Sequence, residues 1–169
     1  MAGLVAADFH DNEIELQLST PTDLTMSESI EINGQATTVH SINTGVPHAV
    51  VVVDDIEHSD VCRDGAAIRH HQHFQPSGTN VNFQCAMDSN TIAIRTYERG
   101  VEDETLACGT GMVASAIVHE RLTGTGTPIY VRVRGGDTLK VDWQRQGQTY
   151  TNVTLTGPAD FVFEGEIDV

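Results

Sequence analysis

The sequence predicts one α+β domain, spanning residues 1–169, in which a mostly antiparallel or mixed β-sheet curls barrel-like around a single buried central helix. Three observations predict it. Residues 109–122 are apolar on almost every face, through Met112, Val113, Ala114, Ala116, Ile117 and Val118, and a helix apolar all round belongs inside a domain. Segments on both sides of that run alternate apolar and polar residues with the two-residue period of half-buried strands. The chain has 169 residues, 39% of them apolar, enough for one core, and no linker, repeat or low-complexity tract divides it.

Taken in order, residues 1–8 read as an irregular lead-in. Ile14, Leu16 and Leu18 alternate with Glu13, Glu15 and Gln17 and predict a strand over 12–18, broken by Ser19-Thr20-Pro21-Thr22. Ile30 and Ile32, then Asn33-Gly34, then 37–39 predict a hairpin, because Asn-Gly supplies the two positive φ angles of a tight turn. Thr44-Gly45-Val46-Pro47 is a further turn, and the apolar run 49–53 predicts a fully buried strand. Asp60 is placed to cap a helix from 61 to about 71, with Val61, Gly65 and Ile68 facing inward. Strands follow over 81–86 and 91–96, joined by Asp88-Ser89-Asn90. A short acidic turn leads into the central helix, which a Thr/Gly loop over 123–127 ends. Ile129, Val131 and Val133, then Leu139, Val141 and Trp143, alternate across the Gly135-Gly136-Asp137 turn, and 149–155 and 161–163 complete the sheet. The expected total is nine or ten strands and two helices.

The charge excludes whole classes of partner. Nine Lys and Arg stand against 24 Asp and Glu, a net −15, which argues against nucleic acid or an anionic membrane surface. No apolar run approaches a membrane span, the opening residues do not read as a signal peptide, and a cytoplasmic location is expected. Cys62, Cys85 and Cys108 lie at wide, unlike spacings with no Cys-x-x-Cys, so neither a zinc site nor a disulfide framework is expected. His70, His71 and His73 have no acid or thiol at ligand spacing and read as a solvated helix end rather than a metal site.

The chemistry concentrates around Cys108. It precedes Gly109, Thr110 and Gly111 at the start of the central helix, where unpaired N–H groups and the helix dipole should favour its thiolate and hold a substrate carboxylate. Glu98 and Arg99, just upstream, add one group for an amine and one for a carboxylate. Asn80 and Asn82, two apart at a strand edge, point the same way and suit a carboxylate plus an amine. His48, in the loop Asn43-Thr44-Gly45-Val46-Pro47-His48, is placed to orient a substrate or a thiol. The plainer readings are a buried structural cysteine, a structural turn histidine and ordinary edge asparagines.

Tyr97-Glu98-Arg99-Gly100 followed by Glu104-Thr105-Leu106-Ala107-Cys108-Gly109-Thr110-Gly111 closely resembles the C-terminal half of diaminopimelate epimerase. So do Asn43-Thr44-Gly45-Val46-Pro47-His48, Pro76 with Gly78-Thr79-Asn80-Val81-Asn82-Phe83, and the ending Gly157-Pro158-Ala159 through Phe163-Glu164-Gly165-Glu166. The resemblance implies a cofactor-free isomerase that interconverts LL- and meso-diaminopimelate in lysine and peptidoglycan-precursor synthesis. It implies a cleft between two similar domains, with one cysteine from each removing and returning the α-proton. Cys108 matches the C-terminal cysteine; Glu98, Arg99 and Asn80 fall on substrate-binding positions, Gly109 and Thr110 on the helix end that holds the α-carboxylate, and His48 on a histidine near the reacting centre. Where some members carry asparagine this chain has Val46, and Asn43 is the candidate to supply that contact.

The family's partner cysteine lies in a Cys-Gly-Asn-Gly context, whereas the three cysteines here precede Arg63, Ala86 and Gly109. The chain is therefore expected to be the C-terminal domain without its N-terminal half, folded but nearly inactive alone, with that half as its partner. A homodimer through an uncovered apolar cleft face is a further expectation. Two other readings stay open: a relative of the same fold acting on another substrate, such as a proline racemase-like isomerase, and a non-catalytic binding or assembly domain.

Overall fold

In the computed structural model, which describes residues 6–10, 12–160 and 163–167, the chain runs β1 (Ala7–His10), β2 (Glu13–Gln17), β3 (Thr22–Ile32), β4 (Gln35–Asn43), β5 (Pro47–Val52), α1 (Val61–Arg69), a 3-10 turn (Gln72–Phe74), β6 (Asn80–Ala86), β7 (Thr91–Glu98), β8 (Asp103–Thr105), α2 (Gly109–Thr123), β9 (Ile129–Arg132), β10 (Thr138–Gln146) and β11 (Thr149–Pro158). The strands form one sheet in the order β1-β2-β11-β10-β9-β7-β6-β5-β4-β3, with β8 on β7 off that path. β5–β6 and β7–β9 are parallel pairs and the rest are antiparallel.

The sheet curls over α2, which packs against β4 to β7 and β9 to β11. It does not close. β1 and β3 end the two edges without meeting, so the architecture is an open curved sheet, and the barrel-like expectation holds only for the curvature. β3 slips register twice against β4, and Asp23 and Ser27 take left-handed backbone angles there. Such bulges bend and twist an edge strand.

Because strand side chains alternate between faces, β5, β6 and β7 serve two cores. Val50, Ile92 and Ile94 join the ten consecutive buried residues of α2. Ala49, Val51, Val81, Phe83, Ala93 and Tyr97 join Val61 and Ile68 of α1 on the other face. Gly65 is what lets α1 lie so close: a Cβ there would stand 2.5 Å from the Tyr97 Cβ.

Three strands escape the expected pattern. β1 starts in the expected lead-in and runs two residues past it, β3 starts at the expected break and runs into the hairpin strand expected at Ile30 and Ile32, and β8 occupies the acidic turn. β3 and β8 are poor in strongly apolar residues and the bulges shift the period of β3, so alternation does not announce them. α1 stops at Arg69 with a 3-10 turn beyond. Of the strand expected over 161–163, residues 161 and 162 lie outside the described residues, and Phe163 belongs to no strand. Among the described residues no helix is long and apolar enough to cross a membrane, which says nothing of spanning by strands.

Candidate active site

α2 begins without a side-chain cap. Cys108 occupies the N-cap position in extended geometry, φ −135° and ψ 106°, and no side-chain hydrogen bond closes the helix end. The N–H groups of Gly109, Thr110 and Gly111 therefore lack intrahelical acceptors. The Cys108 side chain is 8% exposed, with Sγ 3.7 Å from Thr110 Oγ1. Burial pushes the thiol pKa up; the N–H groups of Gly111 and Thr110 and the Thr110 hydroxyl pull it back, while the Glu98 charge pushes it further up. The helix-start donors favour the thiolate as expected, but loss of water outweighs them and the net shift is upward. Gly111 makes room for the arrangement, since a Cβ there would overlap Asn82 Oδ1 and stand 3.2 Å from the sulfur.

Topology explains why residues far apart in sequence meet here. β5 and β6 run parallel, so both start at one rim, and β7, antiparallel to β6, ends at it. His48 on β5 sits beside Asn80 on β6, and Glu98 and Arg99 close β7. His48 is 1% exposed. Its Nε2 lies 2.9 Å from Thr110 Oγ1, and its Nδ1 3.1 Å from Asn82 Nδ2. Burial first, and the Arg99 charge second, lower its pKa to about 3, so at neutral pH the ring is an uncharged imidazole.

The remaining expected residues divide. Asn80 Nδ2 donates to the Pro47 carbonyl at 3.2 Å and its Oδ1 accepts the Arg99 N–H at 2.8 Å, tying three strand ends together. Arg99 Nη1 donates to the Ser77 carbonyl at 2.9 Å. Glu98 is half-buried and close enough for Cys108 to feel its charge. Asn43 Oδ1 accepts the Gly45 N–H at 2.9 Å and closes its own turn. Two contributors carried no signal in the sequence beyond their neighbours. Thr44 Oγ1 donates to the Thr110 carbonyl at 2.9 Å, and Thr96 Oγ1 donates to Asn82 Oδ1 at 3.0 Å. His73 and His70 pair with Glu28 and Glu102 respectively. Among the described residues no group of three His, Cys, Asp or Glu is arranged to hold a metal ion.

Thr96, Leu106, Ala107, Cys108, Val133 and Arg134 line a shallow crevice with about 0 Å³ of room for a water molecule. Pockets that enclose small ligands run from roughly 300 to 1,000 Å³, so this crevice does not by itself enclose a small molecule. Larger hollows of about 400 and 340 Å³ do not include Cys108.

A curved sheet over a buried helix is a fold that this chain shares with solved structures of an epimerase and a racemase. The chain superposes on a hydroxyproline epimerase from Agrobacterium vitis with bound trans-4-hydroxy-L-proline (TM-score 0.72, 16% identity, 91% of this chain and 52% of that one). It also superposes on a probable proline racemase from Agrobacterium radiobacter (TM-score 0.73, 16% identity, 98% and 57%). At that identity the likeness is one of fold. Sequence carries the assignment further. A model of the diaminopimelate epimerase family matches residues 40–162. A diaminopimelate epimerase of Aquifex aeolicus is 43% identical over 99% of this chain and 60% of its own length, and one of Chlorobaculum tepidum is 38% identical over 93% and 59%. The chain belongs to the diaminopimelate epimerase family, and it spans about 60% of the length of these relatives.

Proposed function

We propose that this chain supplies one wall, and one of the two proton-transferring groups, of a diaminopimelate epimerase site in lysine biosynthesis. The observation that carries this reading is the Cys108 thiol at the uncapped start of α2, aimed into a crevice too small to enclose an amino acid. Inversion at a carbon needs an acid and a base on opposite faces. Cys108 serves one face; a cysteine of a second, N-terminal domain serves the other, whether that domain is part of the same polypeptide or a separate chain. Leu106, two residues before Cys108, is 71% exposed, which supports a covering partner at this surface.

The α-hydrogen of an amino acid is weakly acidic, so the negative charge that develops as it leaves must be stabilised. The N–H groups of Gly109 and Thr110, at the helix start beside the sulfur, would hold the α-carboxylate as preorganised dipoles in a site that the second domain would close to water. Glu98, Arg99 and Asn80 lie at the same rim and suit the ammonium and carboxylate ends of a substrate charged at both termini. Cys108 enters as a thiol, consistent with its raised pKa, and acts as acid in one direction and, once deprotonated, as base in the other.

The test is incorporation of deuterium at the α-carbon of diaminopimelate in heavy water. The 169-residue chain alone should give little or no exchange, and addition of an N-terminal half carrying the partner cysteine should restore it. Rapid exchange by the chain alone would contradict the half-site reading. Proline or hydroxyproline as the exchanging substrate would contradict the substrate assignment.

A further inference from the structure

Behind Cys108 lies a chain of buried polar side chains whose hydrogen-bond directions can be worked out from one end. The Ala49 carbonyl can only accept, and Asn82 Nδ2 lies 3.2 Å from it, so that end of the amide is the NH₂. The Thr96 hydroxyl, 3.0 Å from Oδ1, holds the other end as the acceptor. Asn82 is fully buried. Its Nδ2, thus fixed as a donor, faces His48 Nδ1 at 3.1 Å, and a donor facing a ring nitrogen requires that nitrogen to be bare. The single ring proton then sits on Nε2, 2.9 Å from Thr110 Oγ1. With that oxygen accepting from His48, the Thr110 hydroxyl proton turns to its other neighbour, the Cys108 sulfur.

We propose that Asn82 is a positioning residue for Cys108: clamped by Ala49 and Thr96, it locks His48 as the Nε2–H tautomer, so that His48 donates to Thr110 and Thr110 donates to the sulfur. The relay rests on the proposed role of Cys108 as an acid–base group, and it adds a reason for three buried polar side chains, His48, Asn82 and Thr96. Every link donates toward the sulfur, so it favours the thiolate against the burial that opposes it. The charged groups acting on its members are Arg99 on His48 and Glu98 on Cys108; Asn82 and Thr96 carry no charge that titrates. Gly111, where any Cβ would overlap Asn82 Oδ1, is the space the relay occupies.

The experiment reads the tautomer and the thiol directly, without turnover. In imidazole ¹⁵N spectra of the full chain, with the His48 signal among the eight histidines assigned by its loss in His48→Gln, the parent should show a single Nε2–H form. Asn82→Ala should populate the Nδ1–H form. Alkylation of Cys108 by iodoacetamide at pH 8, followed peptide by peptide so that Cys62 and Cys85 serve as internal references, should slow about tenfold, the scale of one lost hydrogen bond to a charged group. In a Thr110→Val background, where the last link is already gone, Asn82→Ala should slow it no further. Should Asn82→Ala fail to fold, Asn82→Asp keeps the side-chain shape and, as an acceptor, must move the ring proton to Nδ1. An Nδ1–H form in the parent, an unchanged tautomer in the variants, or an undiminished Asn82 effect without Thr110 would each overturn the proposal. Failure of the catalytic reading would look different: Cys108→Ser would keep full activity in the complete enzyme while the tautomer and alkylation results stood.

Discussion

The two helices start in opposite ways. At the start of α1 the Asp60 carboxylate accepts the Arg63 N–H at 3.2 Å, and Asp64 adds an acid to the first turn. Arg69 in the last turn complements the other end of the dipole. At the start of α2 there is a cysteine, no cap bond and no acid. The burial differs just as much. α1 hides only Val61, Gly65 and Ile68, whereas α2 is buried from Gly111 to Glu120 and ends in a left-handed Gly124 whose N–H returns to the Glu120 carbonyl. A helix that shows one narrow stripe to the core depends on its ends for stability. One enclosed on all sides is held by packing and can leave its first N–H groups unpaired. The comparison teaches where this fold can place a binding function without losing stability: at the end of the helix that stability does not rely on.

The largest separation between the two helix starts should be functional. Cys108→Ala should lower α-proton exchange by the completed enzyme by about 10²- to 10⁴-fold, the range for removing a positioned acid–base group, with little change in melting temperature. A variant that exchanges normally would erase the functional distinction. Next comes Gly111→Ala. An ordinary helical Gly→Ala change stabilises, but this one drives a methyl into Asn82 and should destabilise by about 1–3 kcal/mol, measured by urea unfolding. A stabilised variant would mean that the start of α2 has slack.

A third test separates the two faces of β5–β6–β7 by pH. The α2 face carries His48, whose folded pKa of about 3 lies below the ordinary value of 6.5. Between these values the unfolded chain binds the proton and the folded chain does not, so stability falls as pH drops through that window. From pH 6.5 to 5 one such group costs about 2 kcal/mol. His48→Gln should flatten that part of the profile in urea unfolding, and an unchanged slope would move its origin elsewhere, such as His40, whose pKa burial also lowers. The smallest effect is expected at the capped end: Asp60→Ala should cost about 1 kcal/mol and leave Cys108 alkylation unchanged.

Local signals were legible wherever a few adjacent residues decide the geometry. Asn33 and Gly34 take the positive φ angles, 51° and 78°, that their hairpin demands. Asp60 caps α1, and the all-round apolar run is the buried helix. His48, Asn80 and Glu98 come to one rim through the register of β5, β6 and β7. What stayed hidden depends on register between distant strands. Nothing local says that Thr44, Asn82 and Thr96 meet around His48 and Thr110, because their contact follows from two parallel strands starting together. Nor could spacing tell that burial outweighs the hydrogen-bond donors at Cys108, since that balance depends on how much water the completed fold excludes.

The pairing of β2 with β11, where Leu16 stands opposite Leu155, has a consequence for assembly in time. On the ribosome, β2 emerges long before β11 is made, and among the described strands only β1 is then there to pair with it. Ring closures of this length are slow because much chain entropy is lost before any contact rewards it. Everything from β3 through β11 must therefore be made before β2 can settle, and a nascent chain stalled short of β11 would present β2 as a bare, sticky edge to chaperones or to its own kind.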